Sequence, residues 1–148
     1  MRVLILIIAT IFITGCASMF EDTYRITYKT DMAGASIYCN GKNWGYAPVT
    51  LTYSPNKEAR KSGYFYSRAC EARWVSGARE SFSTSWDLNK FPNGVEQTVR
   101  RPNVPNYQQD AEFALKVQTM QAQQKQAKAA SNKSIYCFKG ALGMVFCN

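Results

Sequence analysis

Gly34-Ala35-Ser36-Ile37-Tyr38-Cys39-Asn40-Gly41-Lys42-Asn43-Trp44-Gly45-Tyr46-Ala47-Pro48-Val49-Thr50-Leu51 is the stretch on which the fold turns. Ala35, Ile37 and Cys39 alternate with Ser36, Tyr38 and Asn40, the period of a strand with one face buried. Asn40-Gly41 then reads as a two-residue turn, because both residue types accept positive φ. Pro48 stands at the entry to a second alternating run, Val49, Leu51 and Tyr53 against Thr50 and Thr52. A missing N–H is tolerated at that first position. Strand, tight turn and strand within eighteen residues argue for an antiparallel sheet.

The same grammar extends on both sides. Tyr24, Ile26 and Tyr28 alternate with Arg25, Thr27 and Lys29. After a polar loop around Ser54–Gly63, Cys70, Ala72 and Trp74 share one face, and Glu71 and Arg73 the other. Ser76-Gly77-Ala78 is a turn. Phe82, Thr84, Trp86 and Leu88 are expected to face one way along a single strand. Pro92-Asn93-Gly94 turns the chain again into a last strand, Val95–Val99. Short strands, regular turns and aromatic inward positions predict a mainly β domain over 23–100, a small antiparallel β-sandwich.

The pattern changes at Arg100–Asn106, where Pro102 and Pro105 mark an extended linker. Tyr107–Ala130 reads as a helix rich in Gln, Ala and Lys, so residues 101–133 form linker and helix. Asp110 and Glu112 near its start and Lys125 and Lys128 near its end suit the helix dipole. Phe113, Val117 and Met120 form a narrow apolar stripe at i, i+4, i+7. Gln121–Ala130 is nearly all polar or alanine and is expected to project into water. Residues 134–148 read as a hairpin, with Ile135–Phe138 and Met144–Cys147 flanking a Gly-containing turn.

The opening stretch resembles the PEGA domain, a small β-sandwich module of bacterial envelope proteins. Gly34-Ala35, Asn40-Gly41, Gly45, Pro48 and Thr50-Leu51 carry the resemblance. Met32-Ala33 stand where that family has Pro-Glu, and Ala47 where it usually has Thr. The resemblance spans roughly 30 residues and implies a binding or scaffold module without catalytic residues.

A second resemblance lies at the N-terminus. Arg2 precedes an apolar run from Val3 to Phe12, which ends in Ile13-Thr14-Gly15-Cys16. The run is too short to span a bilayer, which takes roughly 20 apolar residues, and fits the h-region of a signal peptide. The segment is similar to the lipobox of bacterial lipoproteins. That likeness implies a signal peptide over 1–15, cleavage before Cys16, lipidation (diacylglycerol and palmitate-type chains) on Cys16, and a short tether over 16–22. Ala17, where an inner-membrane retention signal would have Asp, implies the outer membrane, facing either the periplasm or the surface.

Five cysteines become an even four once Cys16 is lipidated: Cys39, Cys70, Cys137 and Cys147. In an exported chain an even set suggests two disulfides, and four cysteines allow three pairings. Cys39 and Cys70 both fall on apolar strand faces, so a bridge inside the core is expected. Cys137 and Cys147 would then clip the tail hairpin. Zinc is disfavoured, since the chain has no histidine and no CxxC spacing. Neither a metal nor another cofactor is expected.

The chain carries +8 from 18 basic and 10 acidic residues, an excess that reads first as a solvated surface and second as a match for anionic partners: lipid head groups, lipopolysaccharide phosphates or acidic glycans. An envelope location argues against nucleic acid. Without histidine the usual neutral-pH general base is missing, and no carboxylate pair or activated nucleophile stands out. A non-enzymatic chain is expected. Tyr38, Lys42, Trp44 and Tyr46 are the candidate ligand-contact residues, because aromatic and basic groups together stack on sugars and meet anions. The competing reading of the same residues is cross-strand packing. The expected role is an envelope binding or scaffold module contacting peptidoglycan, lipopolysaccharide or an envelope protein. Two alternatives are a prophage-encoded surface lipoprotein that blocks a receptor and an accessory subunit of an envelope complex that uses the helix.

Overall fold

A computed structural model describes residues 23–131, 137–139 and 145–147. The signal peptide, Cys16 and the tether lie outside the described residues, as do the side chains of Cys137 and Cys147.

The domain is mainly β, two packed sheets with a helix, as expected. The first sheet is ordered β4-β1-β9, from β1 (Tyr24–Thr30), β4 (Val49–Tyr53) and β9 (Gly94–Val99). The second is ordered β3-β2-β6-β7, from β2 (Ser36–Cys39), β3 (Lys42–Tyr46), β6 (Cys70–Arg73) and β7 (Arg79–Ser81). A two-stranded ribbon pairs β5 (Tyr64–Tyr66) with β8 (Ser85–Asp87). The strand alternation places Tyr24, Ile26, Tyr28, Leu51 and Tyr53 of the first sheet in one core with Ile37, Cys39, Cys70, Ala72 and Trp74 of the second. Full burial of a large side chain contributes roughly 1.5–3 kcal/mol. Asn40 (φ 48°) and Gly41 (φ 78°) make the expected tight turn. Cys39 and Cys70 are cross-strand partners and are disulfide-bonded.

Four features depart from the sequence reading. First, β9 runs parallel to β1, with Arg25 opposite Gly94 and Thr30 opposite Val99. The chain leaves β8 at the end of the sandwich where β1 begins, so β9 must ascend beside β1. Gly94 permits this approach: a Cβ there would lie 2.3 Å from the Arg25 carbonyl oxygen. Second, the run from Phe82 to Leu88 is not one strand. The chain crosses between sheets at 82–84, where the Ser83 hydroxyl bonds the Ser85 carbonyl at 3.2 Å and competes with the ladder. Phe82 and Trp86 are buried, but Thr84 is exposed. Third, the polar loop contains the helix α1 (Lys57–Ser62), capped by the Asn56 side chain accepting from the Ala59 N–H at 2.9 Å and closed by Gly63 in the left-handed region.

Fourth, the long helix α2 (Tyr107–Ser131) buries Val117 as expected but docks through Asp110 and Ala114 rather than Phe113 and Met120. Its buried residues are Asp110, Ala114 and Val117. Phe113 is half-buried and Met120 is 38% exposed. Small Ala114 lets the helix backbone approach Gly34, whose φ is +88°. The second half of α2, from Ala122 to Ser131, is exposed. The tail strands β10 (Cys137–Lys139) and β11 (Val145–Cys147) pair antiparallel, with Cys137 opposite Cys147 in the register.

Candidate functional site

The four candidate contact residues separate into three environments. Lys42 and Trp44 stay together: the Lys42 ammonium sits 4.5 Å from the Trp44 ring centroid. Arg68, from the segment before β6, joins them at 5.5 Å from Trp44 and 5.3 Å from Tyr53. The Trp44 indole N–H is buried without a hydrogen-bond partner among the described residues. Tyr38 lies on the other side of β2, beneath the Arg73 guanidinium at 4.0 Å, and its hydroxyl accepts from Asn43 at 3.3 Å. Tyr46 packs edge-on against Phe113 of α2 at 5.7 Å. It therefore helps seat the helix.

The most highly organised polar cluster was not legible as a site. Asp110 is 1% exposed and accepts three hydrogen bonds: the Ser76 amide at 2.8 Å, the Ser76 hydroxyl at 2.5 Å and Arg101 Nε at 2.5 Å. Burial pushes its carboxyl up, but these donors and the guanidinium charge outweigh that and hold it below the ordinary carboxylate value. Arg101 also donates to the carbonyls of Pro102 (2.8 Å), Val104 (3.1 Å) and Pro105 (3.0 Å). One guanidinium thus gathers the segment read as a linker and fixes the start of α2. The arrangement is a clasp. Asp110 is enclosed, and both its carboxylate oxygens accept hydrogen bonds from within the fold.

A second buried polar contact joins the sheet interior: the Tyr28 and Tyr53 hydroxyls lie 2.8 Å apart. Burial, then the bond to Tyr28, drives the Tyr53 phenol well above its usual range, against the opposing pull of Arg68. Tyr24 is likewise raised by burial and by the Asp87 charge.

The end of the sandwich where β1 starts carries a different surface. Phe65 packs edge-on against Tyr24 (5.8 Å) and Tyr53 (5.4 Å), which fixes β5 there. Its neighbours Tyr64 and Tyr66 point outward, 52% and 73% exposed. An open cleft of about 480 Å³ lies between α1 and β5, lined by Ser54, Asn56, Glu58, Ser62, Tyr64 and Tyr66, among others. Among the described residues no cluster of three or more metal-ligating side chains occurs, and no helix is long and apolar enough to cross a membrane. Comparison with known protein families, curated proteins and solved structures finds no match.

Proposed function

We propose that this chain is a non-enzymatic outer-membrane lipoprotein, held by acyl chains on Cys16 and acting as a binding or scaffold module of the cell envelope. The observation that carries the reading is the segment Ile13-Thr14-Gly15-Cys16 behind a short apolar run. Several acyl chains, each buried CH₂ contributing about 0.8 kcal/mol, hold such a protein on one leaflet for good. The PEGA-like stretch, the enclosed polar clasp and the lack of histidine support binding over catalysis. Peptidoglycan, lipopolysaccharide and envelope proteins are the partners that fit a basic, membrane-tethered sandwich.

Growth with a fatty-acid label tests the anchor: the wild-type chain incorporates the label and Cys16→Ala does not. Label in Cys16→Ala, or none in either, refutes the reading. Retention on purified peptidoglycan or lipopolysaccharide at low salt tests the binding role.

One observation favours the accessory-subunit alternative. The distal half of α2 is exposed over Ala122–Ser131 and carries Lys125 and Lys128, while its first half is locked to the sandwich. That is the form of a helix held out to a partner. Deleting residues 122–131 without loss of complex formation removes this option.

A further inference from the structure

The anchor reading leaves only residues 17–23 between Cys16 and β1, at most about 25 Å of extended chain. The end of the sandwich where β1 begins must therefore stay close to the bilayer. Topology shows what that end presents. Tyr24 pairs with Tyr53, the last residue of β4, after which the chain forms α1 and β5. Arg25 pairs with Gly94, so the turn before β9 lies at the same end.

Three exposed aromatics gather there: Tyr64, Tyr66 and Phe91, the last 37% exposed with the Lys90 ammonium 5.3 Å from its ring. Exposed bases come from the elements at the same end. Lys57 and Lys61 come from α1, Arg25 from β1 and Lys90 from the turn. Among the described residues the acids nearby are Glu58, exposed, and Asp87, half-buried and accepting from the Asn89 and Lys90 amides; Glu21 and Asp22 of the tether lie outside them. Among the described residues, bases thus outnumber acids on this face. Amphipathic aromatic rings and lysines are the residues that settle at a membrane–water interface, and a cationic face beside anionic lipid is attracted within a screening length.

Resting on the anchor reading, we infer that the face formed by Arg25, Lys57, Lys61, Tyr66, Lys90 and Phe91 docks onto the head groups of an anionic bilayer. The tether brings the face to the surface, and the charges fix its orientation. The helix α2, docked at the opposite end of β1 against Gly34 and Ser76, is then directed away from the lipid.

The test uses the protein extracted from membranes and reconstituted in vesicles of phosphatidylcholine alone or mixed with phosphatidylglycerol. Lysines are labelled sparingly with a water-soluble amine reagent and mapped by mass. Lys57, Lys61 and Lys90 should label several-fold more slowly on the anionic vesicles, with Lys116, Lys125 and Lys128 unchanged. About 1 M salt, where the screening length is about 3 Å, should remove the difference. K57E/K61E should restore fast labelling of Lys90. Equal labelling of the face on both vesicles, or protection that ignores lipid charge or falls on α2 instead, overturns the inference. Fatty-acid content of the same preparation reports the anchor separately. Acylated protein with an unprotected face sinks the docking alone, and unacylated protein that still binds anionic vesicles through a protected face sinks the anchor alone.

Discussion

Arg101 and Asp110 form an ion pair in which both side chains are almost wholly withdrawn from water, 3% and 0% exposed, with Nε 2.5 Å from Oδ2. The pair joins the segment leaving β9 to the first turn of α2 and, through Ser76, to the turn between β6 and β7. It converts a proline-rich connection into a fixed hinge.

Removing one member of a buried pair strands the other. Asp110→Ala should therefore cost about 3–5 kcal/mol. Amide exchange should quicken in α2 more than in β1 and β2. An apolar double replacement, R101M/D110L, should recover much of that loss, because neither charge then remains buried. Denaturant unfolding of the single and double variants measures both; a D110A chain as stable as wild type would remove the clasp from the account.

The same carboxyl gives the fold an acid sensitivity. Its value is lowered in the folded state, so the unfolded chain takes up the proton first. The stability it contributes is complete above about pH 5. It falls as pH drops through the ordinary carboxylate value near 3.9 and is gone below the lowered folded value. Asp110→Asn should flatten that part of the stability–pH curve, as read by unfolding midpoints from pH 7 down to pH 3.

Gly34 should be the most sensitive glycine for helix docking. An added Cβ would lie 3.2 Å from the Ala114 Cα and from a Phe113 ring carbon, at a φ of +88°. Left-handed backbone alone costs an L side chain about 1–2 kcal/mol. Gly34→Ala should destabilise by at least that amount and shift the Tyr46–Phe113 contact, visible in near-ultraviolet circular dichroism. Gly41→Ala has no comparable neighbour, since nothing lies within 4 Å of its added Cβ, and should leave that contact unchanged.

The bridge between Cys39 and Cys70 spans 31 residues. In the chain-entropy model its loss should cost roughly 3–4 kcal/mol. C39A/C70A should unfold at correspondingly lower denaturant. In the tail, Cys137 stands opposite Cys147 in the strand register, the same cross-strand relation that Cys39 has to Cys70. Cys137→Ser should therefore free one thiol, on Cys147, and leave the core bridge intact, as thiol counting under denaturing conditions would read.

Period-two patterning carried the strands of the core, because one buried face imposes it on β1, β2, β4 and β6. The Asn40-Gly41 turn and the Cys39–Cys70 pairing were legible for the same local reasons. The length of α2 followed from composition and its buried Val117 from spacing, but the turn of its docking stripe towards Asp110 and Ala114 did not. A charged residue at Asp110 reads as exposed until its distant partners Arg101 and Ser76 are known. The parallel course of β9 was hidden too, because strand direction depends on where the chain re-enters the sheet. The helix α1 had a readable signal, Asn56 before it and Gly63 after it, within a stretch too polar to suggest structure. At the candidate site, Lys42 and Trp44 meet, two positions apart on β3. Tyr46 turned to the helix, a contact no local pattern encodes.

The central claim is that Cys16 is the first residue of the mature protein and its membrane anchor. Intact-mass analysis of the membrane-extracted protein, reduced and non-reduced, tests it most directly. The account predicts a chain beginning at Cys16, heavier by its acyl groups, with a four-hydrogen mass gain on reduction of two disulfides. A chain that retains residues 1–15, or one that begins at an unmodified Cys16, would contradict it.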